Sequence, residues 1–89
     1  MVEGDAVAGD IDPDHEILQL LIEERQRQYE KWGDQKHTFK EWKAIFREEY
    51  SEFKCKVVCG YRPEEQLKEL IEAAAVLCAW AKQINQEKG

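Results

Sequence analysis

Apolar residues recur at helical spacing in three successive stretches of the chain. In the first, Ile17, Leu18, Leu21, Arg25, Tyr29 and Trp32 share one face of a helix predicted from about Asp14 to Lys31. Asp12 or Asp14 can cap its start, Pro13 suits the N-terminal position, and Gly33 stops it. Thr38-Phe39-Lys40-Glu41 opens the second helix with a capping box, in which Thr and Glu satisfy exposed backbone donors reciprocally. Trp42, Ile45, Phe46, Phe53 and Val57 make its apolar stripe, and it ends near Cys59 with Gly60 as the cap. Pro63 followed by Glu64 and Glu65 starts the third helix, which runs to about Gln86. One of its faces carries Leu67, Leu70, Ile71, Ala74, Leu77, Cys78 and Ala81; a second carries Glu69, Ala73, Val76 and Trp80. From Ala73 to Ala81 the helix is apolar nearly all round, which implies burial on more than one side, the second against another subunit. A turn at Gly60 to Pro63 lays helices two and three antiparallel. The expected fold is all-α, a three-helix antiparallel protomer that completes a helical bundle by oligomerisation.

The length of 89 residues allows one small domain, and a core of that size benefits from association. The net charge of -6 is uneven along the chain. Residues 1–16 hold Glu3, Asp5, Asp10, Asp12, Asp14 and Glu16 and no Lys or Arg, whereas the remaining 13 acids balance all 13 basic residues. A neutral body lacks the basic footprint of a duplex nucleic-acid binder. Residues 1–13 are expected to form a disordered acidic lead-in, and 14–89 the helical domain. Met1 is followed by acids, unlike a signal peptide, and no apolar run is long enough to span a membrane. The expected location is cytoplasmic. Cys55, Cys59 and Cys78 are odd in number and read as free thiols; a zinc site needs more ligands than this spacing advertises.

Acidic residues supply the candidate chemistry. Glu49 and Glu52 converge on helix two, and Glu69 and Glu72 on helix three, because residues three apart share a helix face. Across an antiparallel seam these four could meet, as bundle proteins build metal sites. Glu is also the commonest helical surface residue, so one such pair means little. Here, however, Glu48, Glu49 and Glu52 crowd the border of the Trp42–Phe53 stripe, and Glu69 and Glu72 adjoin Ala73, Val76 and Trp80. Carboxylates beside a core repel one another unless a cation neutralises them, and a hard divalent cation prefers oxygen ligands.

The segment Glu23-Glu24-Arg25-Gln26-Arg27-Gln28-Tyr29-Glu30-Lys31-Trp32-Gly33-Asp34-Gln35-Lys36-His37 resembles the entry region of small MazG-like proteins, many of them from phages and mobile elements. Trp42, then Glu48, Glu49 and Glu52, match the tryptophan and the EE-x-x-E helix that follow in that family. Glu69-Leu70-Ile71-Glu72-Ala73-Ala74-Ala75-Val76 with Trp80 is similar to its ELI-x-x-AAV-x-x-x-W segment. The likeness covers roughly residues 16–85. It implies an all-α nucleoside triphosphate pyrophosphohydrolase, which cuts a triphosphate to the monophosphate and pyrophosphate and cleans the nucleotide pool. It implies Mg2+, with Mn2+ a possible substitute, held by Glu49, Glu52, Glu69 and Glu72 in a homodimer or homotetramer. Two departures stand out: Glu72 replaces the usual Asp, and Lys54 and Lys56 occupy positions where small apolar residues are usual.

In that chemistry Glu48 or Glu52 would act as the base for an attacking water. Lys31, Lys36 and Arg62 are candidates for phosphate oxygens, Trp32 for stacking on a base, and Gln35 or His37 for reading its edge. Each has a plainer reading. Trp32 continues the Ile17–Tyr29 stripe into a core, Lys31 complements a helix C-terminus, and His37 supports a turn. Trp42 and Trp80 read as core or subunit-interface residues. The alternative function is a non-catalytic helical interaction or nucleotide-sensing module.

Overall fold

The computed structural model describes residues 12–88, which form three helices and no strand. Helix α1 spans Pro13–Trp32, α2 Phe39–Val58 and α3 Pro63–Lys88. All but two residues of the expected acidic lead-in lie outside the described part. Those two belong to the helical domain: the Asp12 side chain accepts from the Asp14 N–H, and Pro13 is the first helical residue. The Gly33 N–H closes α1 by bonding the Tyr29 carbonyl at 2.7 Å.

The capping box at the start of α2 is complete. Glu41 N–H donates to Thr38 Oγ1 at 3.1 Å, and Thr38 N–H donates to Glu41 Oε1 at 2.9 Å. At the other end Gly60 N–H bonds the Val57 carbonyl and Tyr61 N–H bonds the Lys56 carbonyl, the two bonds of a Schellman ending. That ending requires a left-handed residue, and Gly60 supplies it at φ 74. The Lys56 ammonium sits 4.1 Å from the Tyr61 ring centre and 3.8 Å from Glu65 Oε1, fastening the turn to the first residues of α3.

Helix α3 is the spine. Both α1 and α2 pack on it, and they do not pack on each other. Partners at the two ends fix the direction of α2 against α3. Trp42 stacks on Trp80 near the start of α2, and Lys56 meets Glu65 near its end, so the two run antiparallel. The core is small: Trp42, Ile71, Ala73, Ala75 and Val76. Trp42, 1% exposed, lies parallel to Trp80 at 6.2 Å and takes the His37 ring edge-on at 4.7 Å.

This arrangement corrects the expectation that the α1 stripe runs into a core, and it shows which sides of α3 the chain covers by itself. On α1 the partly covered positions are Leu20, Leu21, Glu24, Arg25 and Gln28, whereas Ile17, Leu18, Tyr29 and Trp32 are exposed. Trp32 is therefore not a core residue. Among the described helices only α3 meets α1, so a single narrow face of it is covered by them. On α3 the two covered sides are met by α1 and α2 of the same chain, leaving Leu70, Leu77 and Ile84 exposed at 44%, 44% and 54%. Trp80 is half-buried as a core neighbour of Trp42.

Candidate functional site

Because α1 and α2 splay on α3, a cleft opens between them. Its volume is about 580 Å³, and its walls include Glu24, Arg27, Lys31, Trp32, Gln35, His37, Glu48, Glu49 and Glu72. These come from all three helices and from the connection after α1. The acids stand toward one end of the cleft, and Trp32, Gln35, His37, Lys82 and Gln83 toward the other.

At the acidic end, Glu49 and Glu72 line the cleft and, with Glu52 just off its walls, each bring a carboxylate oxygen within 4.8 Å of the others; Glu69 is also off the walls. Glu49 sits one edge off the Trp42–Phe53 stripe and is half-buried, while Glu48 and Glu52, further round, are exposed. Partial burial, then the charges of Glu52, Glu72, Glu69 and Glu48, push the Glu49 carboxyl up to about 7. Glu72 is raised as well, by burial first and then by Glu69 and Glu24, with Lys68 and Arg27 opposing. Glu69 does not join the close trio. Its Oε1 is inaccessible to solvent and has no hydrogen-bond partner among the described residues. An orphaned carboxylate oxygen beside three crowded carboxylates is the donor chemistry of a hard divalent cation. Glu49, Glu52 and Glu72 could hold such an ion, with Glu69 behind them.

Two residues not singled out from the sequence complete this end. Arg27 grips Glu24 with both arms, Nε to Oε1 at 2.9 Å and Nη2 to Oε2 at 2.7 Å, and Gln28 adds a third donor at 3.1 Å. The Arg27 bonds hold the Glu24 carboxyl below its ordinary range. Arg27 is itself raised, by Glu24 first and then by Glu72 and Glu49. A bidentate pair presents a fixed cation beside the acids. Its signal was an i,i+3 Glu–Arg pair, a spacing too common to single out.

The far end is built on Gln83. Its Oε1 accepts from the His37 N–H and from Trp42 Nε1–H, both at 2.9 Å, and its Nε2 donates to the His37 carbonyl at 2.8 Å. One amide thus satisfies a buried indole and pins the connection between α1 and α2 to α3. Lys82 adds a second tie, 3.2 Å from Asp34 Oδ1. His37 Nε2 lies 3.0 Å from Gln35 Oε1, so these two neighbours of the cleft orient each other. The Trp32 ring is 61% exposed, with the Lys31 ammonium 4.9 Å from its centre.

The structure thus brings Lys31, Trp32, Gln35, His37, Glu48, Glu49 and Glu72 to one cleft. Arg62 is not among its walls. Its carbonyl accepts from Glu65 and Gln66 at the start of α3, beside the turn that closes the other end of α2. Lys36 is exposed and also lies off the cleft walls. Among the described residues no helix is long and apolar enough to cross a membrane. Comparison of the chain with family models, curated proteins and solved structures gives no match.

Proposed function

We propose that the protein is a magnesium-dependent nucleoside triphosphate pyrophosphohydrolase. The observation that carries this reading is one cleft with Glu48, Glu49 and Glu72 among its walls, Glu52 within reach of the last two, and an exposed indole with Gln35 and His37 toward its other end. Its volume of about 580 Å³ falls in the range of small-molecule sites, roughly 300–1,000 Å³. The resemblance to MazG-like proteins points the same way, since it groups these residues from the sequence alone.

Glu49, Glu52 and Glu72 would hold Mg2+ or Mn2+, with Glu69 available to join them. When bound, such an ion neutralises phosphate charge and makes a nearby water more acidic. The chain's own groups do the rest. Arg27, fixed by Glu24, and Lys31 offer cationic contacts to the triphosphate tail. Trp32 offers a face to the base, and Gln35 and His37 offer polar atoms to its edge. Glu48 lines the cleft without belonging to the close trio, which favours it over Glu52 as the acceptor of the water proton. The water oxygen bonds to the α-phosphorus as the bond to the pyrophosphate oxygen breaks. The monophosphate keeps the new oxygen.

A second copy of the chain would cover Leu70, Leu77 and Ile84, an apolar line along α3 left exposed among the described residues. The same line also suits the second reading, a non-catalytic module that docks a partner helix. The test is pyrophosphate release from a panel of ribo- and deoxynucleoside triphosphates, with Mg2+ or EDTA, by wild type and Glu49→Gln. Magnesium-dependent release lost in the variant is expected. A folded wild type that turns over none of them removes the hydrolase reading and leaves the module.

A further inference from the structure

At the solvent-facing end of α2, away from the cleft, Cys55 and Cys59 point their sulfurs at each other, Sγ to Sγ 3.8 Å. Both residues are exposed. The backbone is still helical between them, since Cys59 N–H bonds the Cys55 carbonyl at 2.9 Å. Two outcomes are open to such a pair, and helix geometry separates them. Positions four apart on a helix hold their Cβ atoms about 5–6 Å apart. A disulfide needs about 3.5–4.5 Å, so oxidation would have to unwind the last turn. That turn is fastened by the Schellman bonds and by the Lys56 ammonium against Tyr61 and Glu65. A metal ion has no such requirement. Thiolates lie about 2.3 Å from zinc, which makes the edge of a tetrahedral zinc–thiolate site about 3.8 Å. The observed sulfur separation is that edge.

We propose that Cys55 and Cys59 form a dithiolate site for a thiophilic d10 cation of the Zn2+ class, distinct from the carboxylates of the cleft. Binding converts two thiols and one divalent ion into a bis-thiolate complex and two released protons. The Cys59 thiol is pushed up, first by its contact with Cys55 and then by that neighbour's charge, with the Lys56 charge opposing; the ion must displace the protons, so binding strengthens as the pH rises. Two coordination positions remain for solvent or for the same pair of a second copy. Carboxylates also bind such ions, so the thiolate pair is told from the cleft acids by its sulfur donors, which favour the softer ion and give it a distinct spectroscopic signature.

The test uses Cd2+ as a spectroscopic probe on the full-length, reduced protein, with Mg2+ in large excess to occupy the acids. The expected result is a thiolate-to-cadmium charge-transfer band that saturates with about two protons released per ion. Saturation at one ion per chain puts solvent in the remaining positions; one ion per two chains, with a doubled mass in light scattering, puts a second copy there. The band should vanish in Cys55→Ser and in Cys59→Ser and survive in Cys78→Ser. In unmutated protein, Zn2+ should protect Cys55 and Cys59, but not Cys78, from alkylation mapped by mass spectrometry. A band that survives loss of Cys59, a band that needs Cys78, or alkylation of the pair unaffected by Zn2+ would overturn the site.

Discussion

Glu49 carries charge at a cost, and neutralising it should stabilise the protein in a defined pH window. Its carboxyl stands at about 7 in the folded chain against an ordinary 4.5, because of partial burial and then the neighbouring acids. Below the lower value Glu49 is protonated in both folded and unfolded chains and contributes no difference. Between the two values the folded chain keeps the proton that the unfolded chain has lost, so raising the pH costs the native state. Above about 7 the full penalty is present. A shift of this size corresponds to about 3 kcal/mol at roughly 1.4 kcal/mol per pH unit. The group is in contact with water, and solvent screening brings the expected penalty to about 1–2 kcal/mol. Glu49→Gln should therefore melt roughly 5–15 °C above wild type at pH 8, given about 4–8 °C per kcal/mol for a domain of this size. At pH 4.5 the two should coincide. Comparing the proteins at each pH cancels the titration of groups that Glu49 does not touch, and relief of Glu52, Glu72, Glu69 and Glu48 in the variant acts in the same direction. Magnesium should narrow the gap at pH 8, since an ion at one hundred times its dissociation constant stabilises wild type by about 2.7 kcal/mol. The assay is thermal melting by circular dichroism from pH 4.5 to 8, with and without Mg2+. A variant no more stable than wild type at pH 8, with equal magnesium shifts in both, would refute the reasoning.

Other substitutions probe the far end of the cleft and the helix start. Gln83→Leu leaves the buried Trp42 indole N–H and the His37 backbone without partners, and should cost about 2–4 kcal/mol in urea unfolding. Trp32→Ala should change stability by less than about 0.5 kcal/mol, because the ring is largely exposed, yet should raise KM for nucleotide in a turnover assay. Equal loss of kcat with KM unchanged would argue against a stacking role. Thr38→Ala breaks the capping box and should cost about 1 kcal/mol in the same unfolding experiment.

What the sequence made legible was local. Pro13, Gly33, Thr38, Glu41, Gly60 and Pro63 mark helix ends through local chemistry, and every helix end but the last of α3 falls within about two residues of one of them. Which faces meet is a long-range matter. The stripe running to Trp32 looked continuous with a core, yet among the described helices α1 meets α3 alone, and its far end borders the cleft instead. The acids were legible as a group because their spacing is helical, but the inward turn of Glu69 depends on packing that no spacing encodes. Gln83 gave no signal. A glutamine near the end of a long helix reads as surface until the Trp42 indole and the His37 backbone are seen to converge on it.

Hydrolysis in heavy-oxygen water tests the proposed chemistry most directly. Wild-type protein is incubated with Mg2+ and each deoxynucleoside triphosphate, and both products are weighed by mass spectrometry. The expected result is a labelled nucleoside monophosphate and unlabelled pyrophosphate, with neither formed in EDTA. Nucleoside diphosphate with orthophosphate, label in the pyrophosphate, or intact nucleotide over a folded protein would contradict it.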